Sequence, residues 1–391
     1  MSRVWACNLS GGERGAISQV GDSGLLLSCM IAIVAALMLS TSVGPAVVKP
    51  LLLDGSLISN GRFAFVYDAY ETVGDDEAPS VVGIGTSILL AAMNGTCMQE
   101  SSGIENARFY NFAMPGGKPY TEMIQIPALI EAKPDVVMLE VGPNSLYGWD
   151  EYYEPLGNSD YNQFRFQLMS MGASRNHIGG WYEILDYRDR DFIETTIWKK
   201  EDAWSEYVPE AIEEHLQREF TGISSANYDD NSYRNVPQPN SEGWNDYLSE
   251  PNYHISRYEG KSSEYIQHDL DRRMPNMIAQ GYYSPQSNGT QNHRALDYIV
   301  HELLNASIEV VVVELPHHPW VNGYLENGQL DGVNNSFMKF QHLEGVTIVQ
   351  MYWDEWPIDA FDDRLHMDED GRAIFCERVT PIVDMVLGMG I

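Results

Sequence analysis

Four short stretches of the chain carry residue types that together could transfer an acyl group. Gly83-Ile84-Gly85-Thr86-Ser87 closes an apolar run and opens a helix-like one. A serine at such a turn lies near the positive end of a helix, which favours a nucleophilic oxygen and a developing oxyanion. Taken alone, a serine at a helix start is more often an ordinary N-cap. The stretch NFAMPGG, from Asn111 to Gly117, leaves an apolar run into a glycine-rich loop, where a backbone N–H can approach a substrate oxygen, although alone it reads as a tight turn. Gly142-Pro143-Asn144 directly follows DVVMLEV, and an asparagine there can donate to an oxyanion; by itself it reads as a loop. Asp363-Arg364-Leu365-His366 sets a carboxylate three residues before an imidazole, close enough to hold Nδ1 and leave Nε2 as a general base. Asp359 and Asp362 compete for that role.

These segments can form one site only if the preceding elements bring their ends to one edge. Residues 80–85 read as a short buried strand and 87–93 as the helix after it. Residues 107–112 and 135–141 read as a second and third strand, with a helix over 120–132 that Pro127 either kinks or starts. The pattern returns as a helix over 295–305, a strong strand over 307–315, a weaker one over 346–351 and a closing helix over 371–387. Such alternation predicts an α/β fold with a parallel sheet covered on both faces, whose ligand sites lie at the carboxyl ends of the strands.

Residues 150–273 differ in character, being rich in Tyr, Trp, Asp and Glu, helix-like over 192–220, and Asn- and Pro-rich over 227–250. They read as an insertion that is either a cap over the strand ends or a solvated helical decoration. Its Trp181, Tyr182, Trp198, Trp204 and Trp244 either stack on sugars or form the insertion's own core.

The order and spacing of Ser87, Gly116, Asn144 and the terminal Asp363-x-x-His366 resemble the SGNH hydrolase family, the GDSL-like esterases and lipases. The family's Asn-x-x-x-x-Gly is matched by Asn111 and Gly116, and its Gly-x-Asn by Gly142 and Asn144; its usual Gly-Asp-Ser stands here as Gly85-Thr86-Ser87. The resemblance covers about residues 81–147 and 309–387. It implies a flavodoxin-like three-layer α/β/α sandwich with Ser87 as nucleophile, His366 as base and Asp363 orienting it. Ser87 N–H, Gly116 N–H and the Asn144 side chain would form the oxyanion hole. A body of this kind beside a membrane segment is also similar to the branch that handles acyl groups on cell-surface polymers, such as the alginate O-acetylation and teichoic-acid D-alanylation proteins. The turn ELPHHP, from Glu314 to Pro319, resembles a proline-containing turn of that branch, which implies substrate contact for His317 or His318. The implied activity is that of an extracytoplasmic serine esterase, acyl hydrolase or acyltransferase acting on a cell-surface glycan or lipid, with no cofactor and no metal. The alternative is a catalytically inactive module of the same fold that binds or assembles surface polysaccharide.

The chain has 391 residues, of which 44% are hydrophobic, so it can bury a substantial core. Its 24 basic and 56 acidic residues give a net charge of -32, which excludes nucleic acid as a partner. Only 7 of the basic residues are Lys, and such a carboxylate-rich surface stays hydrated in concentrated salt, pointing to a halophilic or marine source. Residues 150–273 carry -13 of that charge and the remainder -19, so the acid excess is general. It favours a neutral acylated sugar or lipid over an anionic polymer as substrate.

From Gly24 to Val43 no residue is charged, and the uncharged run continues to Val48, long enough to span a membrane as a helix. The expectation is an anchor over 24–48, a cytoplasmic tail over 1–23, and a body outside formed by 49–149, the insertion, and 274–391. A cleaved signal peptide, for which Ser40, Ser42 and Ala46 offer small residues, and a buried core helix are the competing readings. Sequons at Asn94, Asn288, Asn305 and Asn334 are compatible with an exterior body. Of the four cysteines only Cys97 and Cys376 could pair within that body, and two buried free thiols are expected.

Overall fold

The computed structural model describes residues 28, 30–32, 34, 62–75, 78–146, 168, 178–197, 243–251, 257–283 and 290–390. The chain divides into two units, Met1–Lys49 and Pro50–Ile391. In the first, Ser28, Met30, Ile31, Ala32 and Val34 are helical, and Met30, Ile31 and Val34 are exposed. The rest of the expected anchor over 24–48 lies outside the described residues. Among the described residues no helix is long and apolar enough to cross a membrane.

The second unit is built on one five-stranded parallel sheet: β1 (Ser80–Ile84), β2 (Arg108–Asn111), β3 (Val136–Glu140), β4 (Glu309–Glu314) and β5 (Val346–Gln350), in the order β2-β1-β3-β4-β5. The runs SVVGI, VVMLE and EVVVVE form strands because β-branched and apolar side chains pack well on both faces of a pleated sheet. Their alternation sorts them onto two cores. Val82, Ile84, Val137, Leu139, Val310 and Val312 face a cluster that includes the helices Arg62–Asp75, Ile126–Ala132 and Gln291–Asn305. Val81, Val136, Met138, Val311 and Val313 face a second cluster with Ser87–Ala92 and Glu369–Gly390. The sheet is therefore covered on both sides, the arrangement of an α/β fold.

Pro127 stands at the start of the helix Ile126–Ala132, where a missing N–H costs nothing; a 3-10 turn, Met123–Gln125, separates it from Pro119–Glu122. The expected single helix over 120–132 is thus broken into pieces.

The described parts of 150–273 pack into the first of these cores. Trp181 and Trp244 are fully buried there, and Trp244 Nε1 donates to Thr72 Oγ1 at 2.8 Å. Burying each ring contributes on the order of 1.5–3 kcal/mol, so both are structural and neither is open to stack on a sugar. Trp198 and Trp204 lie outside the described residues, as does most of the helix expected over 192–220; its first residues, Ile193–Ile197, form a π-helical turn.

The expectation of free thiols is corrected: Cys97 and Cys376 form a disulfide, with Cα atoms 6.3 Å apart. A separation of 279 residues hid the pairing. The two cysteines sit on Gly95–Ser101 and Glu369–Gly390, whose residues pack in the same core. Closing so long a loop restricts the unfolded chain, and the stabilisation expected is about 2–4 kcal/mol. Reduction, or the Cys97→Ser/Cys376→Ser pair, should lower Tm by several degrees; a midpoint unchanged on reduction would show that the bond contributes nothing.

Candidate active site

The strand register brings the chemically interesting loops to one edge. Gly83 pairs with Asn111 of β2 and Met138 of β3, Glu140 with Val313 of β4, and Glu314 with Gln350 of β5. The segments 85–87, 112–117, 141–144, 315–318 and 351–366 therefore all leave from the carboxyl ends of the strands, where α/β sheets build their sites.

The turn after β1 presents the serine. Thr86 is the N-cap of Ser87–Ala92: its side chain accepts from Ile88 N at 3.0 Å. Capping thus falls to Thr86, and Ser87 is the first helical residue with its hydroxyl released for another partner. That partner is His366, with Oγ and Nε2 2.9 Å apart.

The imidazole is held by its own loop. Phe361 and Met367 form an antiparallel bridge, and Asp362 N donates to His366 O at 2.9 Å, closing 361–367 into a tight turn. Inside it Asp363 Oδ1 accepts from Leu365 N at 2.8 Å and His366 N at 2.9 Å, and faces His366 Nδ1 at 2.9 Å. Asp363, not Asp359 or Asp362, is the carboxylate at that nitrogen. Burial pushes the Asp363 carboxyl up, but the charge and hydrogen bond of His366, the charge of Arg364 and the Leu365 N–H outweigh it and hold the group well below the usual carboxylate range. An ionised carboxylate only accepts, so Nδ1 carries the proton and Nε2 is free to accept from Ser87.

The loop after β2 is strapped to the turn before Ser87: Phe112 N donates to Gly83 O and Met114 N to Gly85 O, each at 2.8 Å. Asn111 is wholly buried and its amide donates to Leu90 O at 3.2 Å and Met93 O at 2.8 Å, closing the far end of the serine's helix. Gly116 is exposed with φ 71°, a conformation glycine adopts without penalty. Gly117 is pressed against the turn so closely that a Cβ there would lie 2.5 Å from Gly85 O. After β3, Gly142 N donates to Ser145 Oγ at 2.7 Å, fixing the short helix Pro143–Leu146 that carries a half-buried Asn144, whose Oδ1 is buried without a partner.

His317 and His318 are buried, at 3% and 0% exposure. His317 shares a hydrogen bond with Tyr283 OH at 3.1 Å and lies edge-on to Tyr283 and Tyr352. His318 accepts from Trp320 N at 3.3 Å and meets Tyr258, Trp320 and Phe361 edge-on. Burial above all lowers both, to about 3 and about 4, so both are neutral at pH 7. Through its backbone, His318 N donates to Arg364 O at 3.0 Å, bracing the turn that carries Asp363 and His366. Among the described residues no group of three or more metal-ligating side chains converges.

Three residues at this edge were not legible in the sequence. Arg257 places a guanidinium nitrogen 3.7 Å from Asp363 Oδ2, and Tyr258 N donates to Asp362 O at 2.8 Å, so the insertion backs the acid of the relay. Glu140, the last residue of β3, accepts from Thr86 N at 2.8 Å. A charged residue inside DVVMLEV gave only the hint that a strand otherwise buried must satisfy it. No family model and no curated protein matches the chain.

Proposed function

We propose that the chain is a serine hydrolase or acyltransferase of the SGNH type, with a flavodoxin-like three-layer sandwich as its fold. The observation that carries this reading is the hydrogen-bonded relay Ser87–His366–Asp363 at the carboxyl edge of a parallel sheet. The strand order β2-β1-β3-β4-β5 supports the fold assignment.

Ser87 Oγ attacks the ester carbonyl while His366 Nε2 takes its proton, and Asp363 stabilises the imidazolium that forms. Ser87 N–H, Gly116 N–H and the Asn144 amide bind the developing oxyanion. His366 then returns the proton to the departing alcohol, leaving an acyl group on Ser87. Water or a sugar hydroxyl, deprotonated by His366, removes it; the first acceptor makes the protein an esterase and the second an acyltransferase. Buried and neutral, His317 and His318 shape the wall behind His366, and any contact of theirs with substrate is through neutral imidazole edges.

The carrier of the acyl group is a cell-surface glycan or lipid, and the chain is held at the membrane by residues 24–48 with its catalytic unit outside. The Cys97–Cys376 disulfide supports that location, because such bonds persist in oxidising compartments. The charge of -32 supports a neutral substrate and a surface that tolerates salt. The test is a fluorophosphonate probe applied to the folded protein, with short-chain aryl ester turnover followed at low and high salt. A single labelled peptide containing Ser87 is expected, with turnover retained in salt. Absence of label at Ser87 would overturn the assignment.

A further inference from the structure

We infer that Glu140 is a positioning residue of this site: as a carboxylate it holds the Gly85-Thr86-Ser87 turn through the Thr86 N–H and offsets the positive charge that develops on His366. The inference rests on the hydrolase reading above. Glu140 Oε2 accepts from Thr86 N at 2.8 Å, one residue before the nucleophile, and Glu140 is only 2% exposed. The contact is specific to this turn. A Cβ at Gly85 would lie 2.6 Å from Glu140 Cβ and 2.9 Å from Oε2, so only glycine lets β3 approach so closely.

Two titratable groups interact electrostatically with Glu140. One is His366, whose positive charge favours the ionised carboxylate; the other is Glu122, at the end of the helix Pro119–Glu122 that follows the Gly116–Gly117 loop. Its cross-strand neighbour Val313 and the capping Thr86 carry no charge. Glu122 is also buried; its Oε2 accepts from Gln125 Nε2, and its Oε1 has no partner and lies 2.2 Å from where a Gly117 Cβ would be. Burial, and then the charge of Glu140, push Glu122 well above the ordinary carboxylate range. The two carboxyls bracketing the turn thus divide their roles: Glu122 keeps its proton and Glu140 carries the charge, as two nearby carboxyls in unequal surroundings do.

Burial raises Glu140 to about 7, against the pull of the Thr86 N–H, the Thr86 hydroxyl and the charge of His366. Its charge is therefore present above about pH 7 and lost below it. Protonating Glu140 removes the same charge as Glu140→Gln, so the wild type should show an additional fall of roughly tenfold in kcat/KM centred near pH 7.

Glu140→Gln keeps an acceptor for Thr86 N–H and removes the charge. Expected are a fall of about tenfold in kcat/KM at pH 8, the scale of a lost charge-assisted hydrogen bond, and disappearance of the additional fall centred near pH 7. Glu140→Ala, which also leaves Thr86 N–H unpaired, should lose roughly 100-fold or more. Difference infrared spectra between pH 5.5 and 8.5 give a readout independent of turnover: burial also raises Glu314 to about 7, so the wild type should show a protonated carboxyl band from both groups, and Glu140→Gln should lose the Glu140 part of it. Wild-type rates and pH profile in Glu140→Gln, or an unchanged carboxyl band, would overturn the inference. If the wild type shows no Ser87-dependent turnover, the hydrolase reading fails, and with it the positioning role, whatever the infrared titration of Glu140 shows.

Discussion

Ser87→Ala is expected to abolish covalent labelling by a fluorophosphonate and to lower kcat for a short-chain aryl ester by about 100,000-fold or more. The size follows from the part the hydroxyl plays. Ser87 Oγ is the group at His366 Nε2, and in the proposed mechanism no acyl-enzyme forms without it, leaving only water attack assisted by the remaining proposed oxyanion donors. Folding should be nearly untouched. Thr86, not Ser87, caps the helix, and alanine is a strong helix former at its first position. Tm within a degree or two of wild type, together with lost labelling, is the result that assigns the loss to chemistry. Retention of more than about 1% of wild-type turnover would exceed what the oxyanion hole can supply alone and would move the nucleophile elsewhere.

Asp363→Asn should cost on the order of 10,000-fold in kcat at neutral pH. The amide can turn its NH2 towards Nδ1, favouring the tautomer with the proton on Nε2, which is the wrong nitrogen for accepting from Ser87. It also removes the negative charge that stabilises the imidazolium. This variant has a stability signature as well. The folded Asp363 carboxyl titrates below its unfolded value, so its ionised form stabilises the fold above the usual carboxylate range, and that contribution disappears as pH falls through the lower, folded value. The wild type should therefore exceed Asp363→Asn in stability at neutral pH, and the gap should narrow as pH falls below about 4. Denaturant unfolding at pH 7 and pH 3 measures it. A gap that widens in acid would contradict the ionised, paired state of this residue.

Much of the sheet was legible because strands buried on both faces read as apolar runs whichever register they take. SVVGI, VVMLE and EVVVVE need no knowledge of their partners to be recognised. The helices Gln291–Asn305 and Glu369–Gly390 begin before the apolar periodicity expected over 295–305 and 371–387, because their first turns are polar; Thr290 caps the first by accepting from His293 N. The helices Arg62–Asp75, Trp244–Ser249 and Ser263–Ala279 were not anticipated, since their burial depends on neighbours remote in the chain.

The chemistry divides in the same way. By itself the sequence determined which residue types follow the strands: a serine, a glycine pair, an asparagine, and an aspartate three residues before a histidine. It also determined that the surface is strongly acidic. Only the tertiary structure decided that Ser87 and His366, 279 residues apart, lie 2.9 Å from one another, that Thr86 frees Ser87 from capping, and that Asp363 rather than its neighbours meets Nδ1. It likewise decided the Cys97–Cys376 bond and the hydrogen bond from Thr86 N to Glu140. The physical reason is common to all of these. Local periodicity reports whether a segment can be buried and in what conformation, whereas hydrogen bonds and disulfides are set by distances across the sheet, which depend on strand order and register.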